Sequence, residues 1–232
     1  MEHRDRLWPG GYTFLYDDGL FRPSTDTFLL GSFPRLRRGM AVCELGAGTG
    51  LLSLLLLARE PELTVTGVEL QPQACALFRR TAEENGLQGR MHCLEGDLRQ
   101  GLLPPGRFRL AVANPPYFPP DAGAVAPDAA RRTARAETDC TLSQLCAAAA
   151  RALTWGGSFC LVHRPDRLEE LRRVRLEPKR LRFVYHTAAA PPSLFLLEAR
   201  LGGGVGLTVE PPLLLHGPDG GETEDVRRAY FR

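Results

Sequence analysis

The 232-residue sequence contains no uninterrupted apolar run of the roughly 18 residues that a membrane-spanning helix requires. Its first residues, Met1-Glu2-His3-Arg4-Asp5-Arg6, mix charges where a secretory leader would carry an apolar segment, so a cytoplasmic protein with no membrane partner is expected. Cysteine is sparse and scattered: Cys43, Cys75, Cys93, Cys140, Cys146 and Cys160 form no C-x-x-C pair and have no histidine grouping to complete a tetrahedral site. No metal is expected, and the thiols read as buried and reduced. Charge of one sign is also lacking, since 29 Lys and Arg against 27 Asp and Glu leave +2, too little to announce a nucleic-acid binder by itself. The distribution is more informative. Residues 151–182 hold nine bases and four acids, whereas 210–225 hold five acids and no base. Such a stretch is either a solvated face or a surface for a polyanion.

What is present is an alternation of strand-length and helix-length patterns, the signature of βαβ units on a mostly parallel sheet covered on both faces. Strands are expected at 40–45, 63–70, 90–95, 108–113, 158–163, 181–186 and 194–201, and helices at 51–59, 73–85, 142–153 and 167–176. Asn85-Gly86 reads as a helix C-cap and Thr141 as an N-cap. Ahead of these, 12–16 and 20–22 around Asp17-Asp18-Gly19 read as a β-hairpin that would lie over one end of the sheet. The expectation is a single α/β domain with a seven-stranded sheet, in which 1–39 are the hairpin and lead-in and 40–232 the core. Residues 118–138, rich in Pro, Ala and Gly, show no period; a loop of ~20 residues inside a domain is more often functional than idle.

The first constellation follows the first core strand. Glu44-Leu45-Gly46-Ala47-Gly48-Thr49-Gly50 spaces its glycines as G-x-G-x-G and runs at once into an apolar helix, so the backbone can turn tightly and approach a ligand beside free helix N–H groups. The spacing differs from the G-x-G-x-x-G of dinucleotide sites. The next strand ends at Glu69, about 19 residues beyond Gly50, where a carboxylate can accept bonds from both hydroxyls of an unphosphorylated ribose. The third ends at Gly96-Asp97, an acceptor placed for an adenine amino group. Alone, either acid is more often a solvated loop residue. Together they line successive strand ends in the order a nucleoside needs. The candidate cofactor-contacting set is Glu44, Gly46, Gly48, Gly50, Glu69, Leu70, Asp97, Leu98 and Asn114, with Thr25 and Asp26 added below.

The second constellation, Asn114-Pro115-Pro116-Tyr117, closes the fourth strand. Two prolines fix φ and remove both backbone donors, leaving a rigid edge of carbonyl acceptors. Asn114 Oδ1 and the Pro115 carbonyl can accept both hydrogens of an –NH2 group, which localises its lone pair, and Tyr117 can stack on the planar group that bears it. As a bland loop the same residues are a turn after a strand.

These two motifs resemble those of class I S-adenosylmethionine-dependent methyltransferases, with Asn114–Tyr117 as the N-P-P-Y motif. Within that class the chain resembles the bacterial tRNA (adenine-N6) methyltransferases that modify the base beside the anticodon of a valine tRNA. Arg22-Pro23-Ser24-Thr25-Asp26-Thr27, Arg135-Ala136-Glu137, Val162-His163-Arg164-Pro165-Asp166-Arg167, Glu177-Pro178-Lys179-Arg180 and Pro211-Pro212-Leu213 carry that likeness over nearly the whole chain. The resemblance implies a Rossmann-like fold, S-adenosyl-L-methionine as cofactor, and a tRNA adenine N6 as acceptor. It places Thr25 and Asp26 near the methionine end of the cofactor. Bases that could meet phosphates are Arg131, Arg132, Arg135, Arg164, Arg167, Lys179 and Arg180. His163 reads as structural in preference to a general base. A monomer or weak dimer is expected. N-P-P-Y also suits a glutamine side-chain amide, although only about 39 residues precede the first core strand, where glutamine methyltransferases carry a helical domain. An rRNA or DNA amine and a non-catalytic cofactor-binding module are the other readings.

Overall fold

The computed structural model of the protein describes residues 1–20, 22–115, 140–173 and 175–232. Its N-terminal hairpin joins β1 (Glu2–Arg6) to β2 (Thr13–Asp17), antiparallel, with Glu2 opposite Asp17 and Arg6 opposite Thr13. The turn is set by Trp8-Pro9-Gly10-Gly11: the Gly11 N–H donates to the Trp8 carbonyl at 2.9 Å and Gly10 has φ 75°. Proline second and a left-handed glycine third define a type II turn. This corrects the expected hairpin, whose 12–16 strand is real but whose partner lies before it. Asp17-Asp18-Gly19 does turn, with Gly19 N–H on Asp17 Oδ1 at 2.7 Å, yet it leads to helix α1 (Thr25–Ser32), which the strand and helix patterns did not mark. The hairpin lies against α3 (Pro72–Glu84) instead of over the sheet. Asn85 receives the Thr13 N–H at 2.8 Å and donates to the Thr13 carbonyl at 2.7 Å, acting as a surrogate strand partner.

The main sheet runs β10-β8-β9-β7-β6-β3-β4-β5 with β11 also on β8. Its elements are β3 (Ala41–Leu45), β4 (Thr64–Glu69), β5 (Met91–Glu95), β6 (Phe108–Ala113), β7 (Leu153–His163), β8 (Leu176–Tyr185), β9 (Pro192–Leu201), β10 (Thr208–Val209) and β11 (Leu213–Leu214). Strands β3 to β7 are mutually parallel, and only β9 runs against its neighbours β7 and β8. Nine strands, against the seven expected, reflect two short additions on the β8 edge among the described residues. The expected 181–186 strand begins earlier, at Leu176, because β9 pairs with it throughout. The expected 167–176 helix is instead a 3-10 segment, Pro165–Arg173.

Side chains alternate across the sheet. Val42, Leu110, Val112, Cys160, Val162 and Leu196 face one layer, whereas Cys43, Ala111, Ala113, Phe159, Leu161 and Leu197 face the other. The first layer holds α1, α2 (Leu51–Arg59) and α5 (Glu224–Ala229); the second holds α4 (Leu142–Ala152). Leucines 51–57 of α2 are buried on every side because α1 crosses it closely: a Cβ on Gly31 would come within 2.9 Å of the Leu55 side chain. Thr141 and Gln144 cap α4 reciprocally, the Gln144 N–H bonding Thr141 Oγ1 at 3.3 Å and the Thr141 N–H bonding Gln144 Oε1 at 2.9 Å. Packing of α3 on β5 brings the sulfurs of Cys75 and Cys93 into direct contact, so this pair is not scattered as the sequence suggests. Cys43, Cys140, Cys146 and Cys160 are free thiols.

Candidate functional site

The chain leaves β3 for β4 and β5 on one side and returns to β6 on the other, so the carboxyl ends of β3 and β6 flank a topological switch point, where open α/β sheets bind ligands. Both motifs fall there. The glycine loop after β3 has φ of 72°, 54° and 93° at Gly46, Gly48 and Gly50, a run of left-handed backbone. At Gly50 a side chain is disfavoured for a second reason, because a Cβ would sit 2.5 Å from the Met91 side chain and 2.8 Å from the Phe78 ring, which would have to move.

Two carboxylates brace this loop. Glu69, 7% exposed at the end of β4, accepts the Gly48 N–H at 2.8 Å on one oxygen and the Gln71 N–H at 2.8 Å on the other. Each oxygen keeps acceptor capacity for a further donor. Glu44, 4% exposed, lies beneath the loop and accepts the Ser53 hydroxyl one turn into α2. Burial pushes its carboxyl up to about 8, so it is largely neutral at pH 7 and acts as a strut between β3 and α2. Thr49 Oγ1 is buried in the same loop without a hydrogen-bond partner among the described residues. Leu70, 49% exposed, follows Glu69 on the ligand edge, and Leu98 packs partly buried on the core. Asp97 caps the short 3-10 turn Leu98–Gln100 and receives the Arg99 guanidinium on both oxygens, at 2.8 and 2.5 Å on Oδ2. That guanidinium holds the carboxyl below the usual range.

Asn114 and Pro115 stand at the end of β6, both half-buried. The Asn114 Nδ2 donates to Thr27 Oγ1 at 2.8 Å, which turns the amide nitrogen toward α1. Pro116 and Tyr117 lie outside the described residues, as do Arg131, Arg132 and Arg135. Thr25 Oγ1 accepts the Tyr230 hydroxyl at 3.0 Å, and the Tyr230 ring stacks on Phe28 at 4.1 Å. Sequence reasoning had no signal for either Thr27 or Tyr230 as site supports. Beside them a cavity of about 680 Å³ is lined by Thr25, Asp26, Arg164, His186, Leu194 and Leu215 among others.

The candidate phosphate-binding bases divide. Arg164 lines the cavity, 43% exposed, with Asp166 at 3.4 Å. Arg167 lies on the 3-10 segment after β7 and donates to Glu170 at 3.0 Å. Lys179 lies away from that edge, its Nζ on the carbonyls of Gly204 and Gly206 at the opposite end of the strands. Arg180, 12% exposed, pairs with Glu198 at 3.1 Å and Glu210 at 3.2 Å, donates to the Phe33 carbonyl at 2.6 Å and covers the Phe33 ring at 3.9 Å. The structure commits it to holding α1 and the β10 connection against the sheet. The structure thus gives Lys179 and Arg180, both expected among the RNA-contacting bases, partners within the chain. His163 is 2% exposed and burial lowers its pKa to about 4. The neutral ring accepts the Arg164 N–H on Nδ1 at 2.8 Å, a structural role.

The sequence profile of the family described as "Methyltransferase small domain" matches residues 22–170. A Yersinia enterocolitica protein named tRNA1(Val) (adenine(37)-N6)-methyltransferase is 32% identical over 184 residues, covering 76% of this chain and 72% of the relative. A Yersinia pestis protein of the same name is 32% identical, covering 66% of this chain and 64% of its own length. Among solved structures, a predicted O-methyltransferase from Agrobacterium tumefaciens superposes with TM-score 0.72 at 21% identity, covering 88% of this chain and 96% of that one. The T. thermophilus 16S rRNA N2 G1207 methyltransferase, solved with AdoMet and guanosine, superposes at 0.60 with 23% identity, covering 86% and 50%. At those identities the superpositions speak for the fold alone.

Proposed function

The chain belongs to the methyltransferase small domain family, and from that premise we propose that it transfers a methyl group from S-adenosyl-L-methionine to the exocyclic N6 amine of an adenine in tRNA. The observation that carries this reading is the Asn114-Pro115 edge held beside the glycine loop at the switch point, an amine-orienting group next to a nucleoside cradle.

The residues present fit the cofactor. Left-handed Gly46, Gly48 and Gly50 admit close backbone approach, Glu69 offers acceptors to a ribose, and the buried Thr49 hydroxyl supplies a polar atom that no described residue satisfies. Asp97 is the acceptor for an adenine amine, Leu70 a face for its ring, and Thr25 and Asp26 the group for the amino-acid end. Bound there, the cofactor supplies a sulfonium methyl, an electrophile open to a nitrogen lone pair. The chain's own task is to prepare that nitrogen. Asn114 Oδ1 and the Pro115 carbonyl take its two hydrogens, opposing delocalisation of the lone pair into the ring, and Tyr117 supports the ring's face. Arg164, on the cavity lining, and Arg167, on the 3-10 segment after β7, are the bases that would meet RNA phosphates. Such a substrate places the enzyme in the cytoplasm.

Glu69→Ala should weaken cofactor affinity about ten- to a hundredfold, since charged hydrogen bonds are worth about 1.5–3 kcal/mol and the change also frees the Gly48 and Gln71 N–H groups. Titration calorimetry checks it; unchanged affinity would remove the ribose assignment. The function itself is tested by incubating the protein with labelled cofactor and separate pools of tRNA, rRNA, duplex DNA and a glutamine-bearing protein. N6-methyladenosine in the tRNA pool is the expected product by nucleoside mass spectrometry. Label in protein alone, or none in any pool, would overturn the reading.

A further inference from the structure

An asparagine that must present its oxygen to an amine faces an ambiguity that its backbone does not resolve. The terminal torsion is broad and roughly two-fold, and a half-turn replaces the acceptor by a donor of nearly the same size. In the wrong orientation Asn114 would point N–H groups at N–H groups. Thr27 sits where this is decided. It is 2% exposed in the first turn of α1, and its Oγ1 accepts the Asn114 Nδ2 at 2.8 Å across 87 positions of sequence. A lone hydroxyl would not discriminate, because it can donate to an oxygen as readily as it accepts from a nitrogen. Here a second hydroxyl lies on its far side, Ser24 Oγ at 3.3 Å, and the Thr27 N–H is held on the Ser24 carbonyl at 3.1 Å. Either hydroxyl of that pair can donate; in the sense in which Thr27 donates to Ser24, its lone pairs face Asn114, in keeping with the Nδ2 donor bond that sets the carboxamide nitrogen toward α1.

We propose that Thr27 is a positioning residue for methyl transfer, its hydroxyl, backed by Ser24, holding the Asn114 carboxamide in the orientation that offers Oδ1 to the acceptor amine. This rests on the role of Asn114 given above. Thr27 is buried and acts through Asn114. Its effect belongs in the turnover step, because a misoriented amide still leaves the cradle and the RNA-binding edge intact.

The test is a set of variants in the tRNA methylation assay, with calorimetric cofactor affinity and thermal melting measured alongside. Thr27→Val keeps the shape and removes the acceptor. It should lower kcat about tenfold, the worth of one neutral hydrogen bond, with KM for tRNA and cofactor Kd changed less than about twofold. Thr27→Ser restores the hydroxyl and should recover most of the loss. In an Asn114→Ala background Thr27→Val should cost nothing further, since there is no amide left to orient. Wild-type kcat in Thr27→Val, failure of Ser to rescue, or an additive loss in the double variant would each overturn the proposal. If Asn114→Ala were itself fully active, the reading of the amine site would fall first. An inactive Asn114→Ala beside a fully active Thr27→Val would remove this inference alone.

Discussion

Asn114→Ala is expected to reduce methyl transfer to tRNA by about 100- to 1,000-fold, the size of the loss when one preorganised polar contact to a reacting group is deleted. The adenine amine is a poor nucleophile because its lone pair is shared with the ring, and in the proposed mechanism it is Asn114, at the end of β6, that opposes that sharing. The amide is ready before substrate arrives: the bond to Thr27 holds its nitrogen, and Pro115 follows with a fixed φ. Cofactor affinity should stay within about twofold, because Glu69, Asp97 and the glycine loop are untouched. Single-turnover incorporation of labelled methyl, with digestion and mass spectrometry of the nucleosides, separates the chemical step from binding. Full activity in this variant, or a product methylated on a ring nitrogen, would refute the mechanism.

The second large effect is on stability. Arg180→Ala should lower the unfolding free energy by about 3 kcal/mol, the low end for removing one partner of a buried ion pair, because the site is not wholly sealed from water. Glu198, 8% exposed by its side chain, would lose its cation, the Phe33 carbonyl its donor and the Phe33 ring its cover. For a chain of this size such a loss shifts the melting temperature by roughly 6–12 °C, which differential scanning calorimetry reads directly. Affinity for tRNA, measured well below the new melting temperature, should not change. A variant with wild-type stability and weakened RNA binding would return Arg180 to the phosphate-contacting set.

Arg180 shows where reading the sequence stops. Its charge, and its place in a stretch of nine bases, point outward to a polyanion. On β8 it has acids on both sides, Glu198 opposite it on β9 and Glu210 just after β10, and neither neighbour can be located until the strand order is known. Cys75 and Cys93 have the same history, 18 positions apart with no motif and brought together by the packing of α3 on β5. The misassigned hairpin is a different kind of miss. Both Pro9-Gly10 and Asp18-Gly19 carry turn chemistry, and pairing followed the first because 2–6 can lie against α3, with Arg80 bonded to Glu2 and Arg4 to Glu84.

By itself the sequence determined whatever depends on a few consecutive residues. The strand-glycine loop-helix run at Glu44–Gly50, the acids closing the next two strands, the Asn114-Pro115 step and the capping box at Thr141 are local chemistry, set by backbone angles and by donors within reach along the chain. The tertiary structure alone decided which distant groups serve those motifs: Thr27 for Asn114, Tyr230 for Thr25, Gly48 for Glu69, and Phe33 with Glu198 and Glu210 for Arg180. The reason is range. A hydrogen bond forms only within about 3.5 Å, and which residues meet at that distance follows from strand order, twist and helix packing over the whole chain, none of which a short window of sequence encodes.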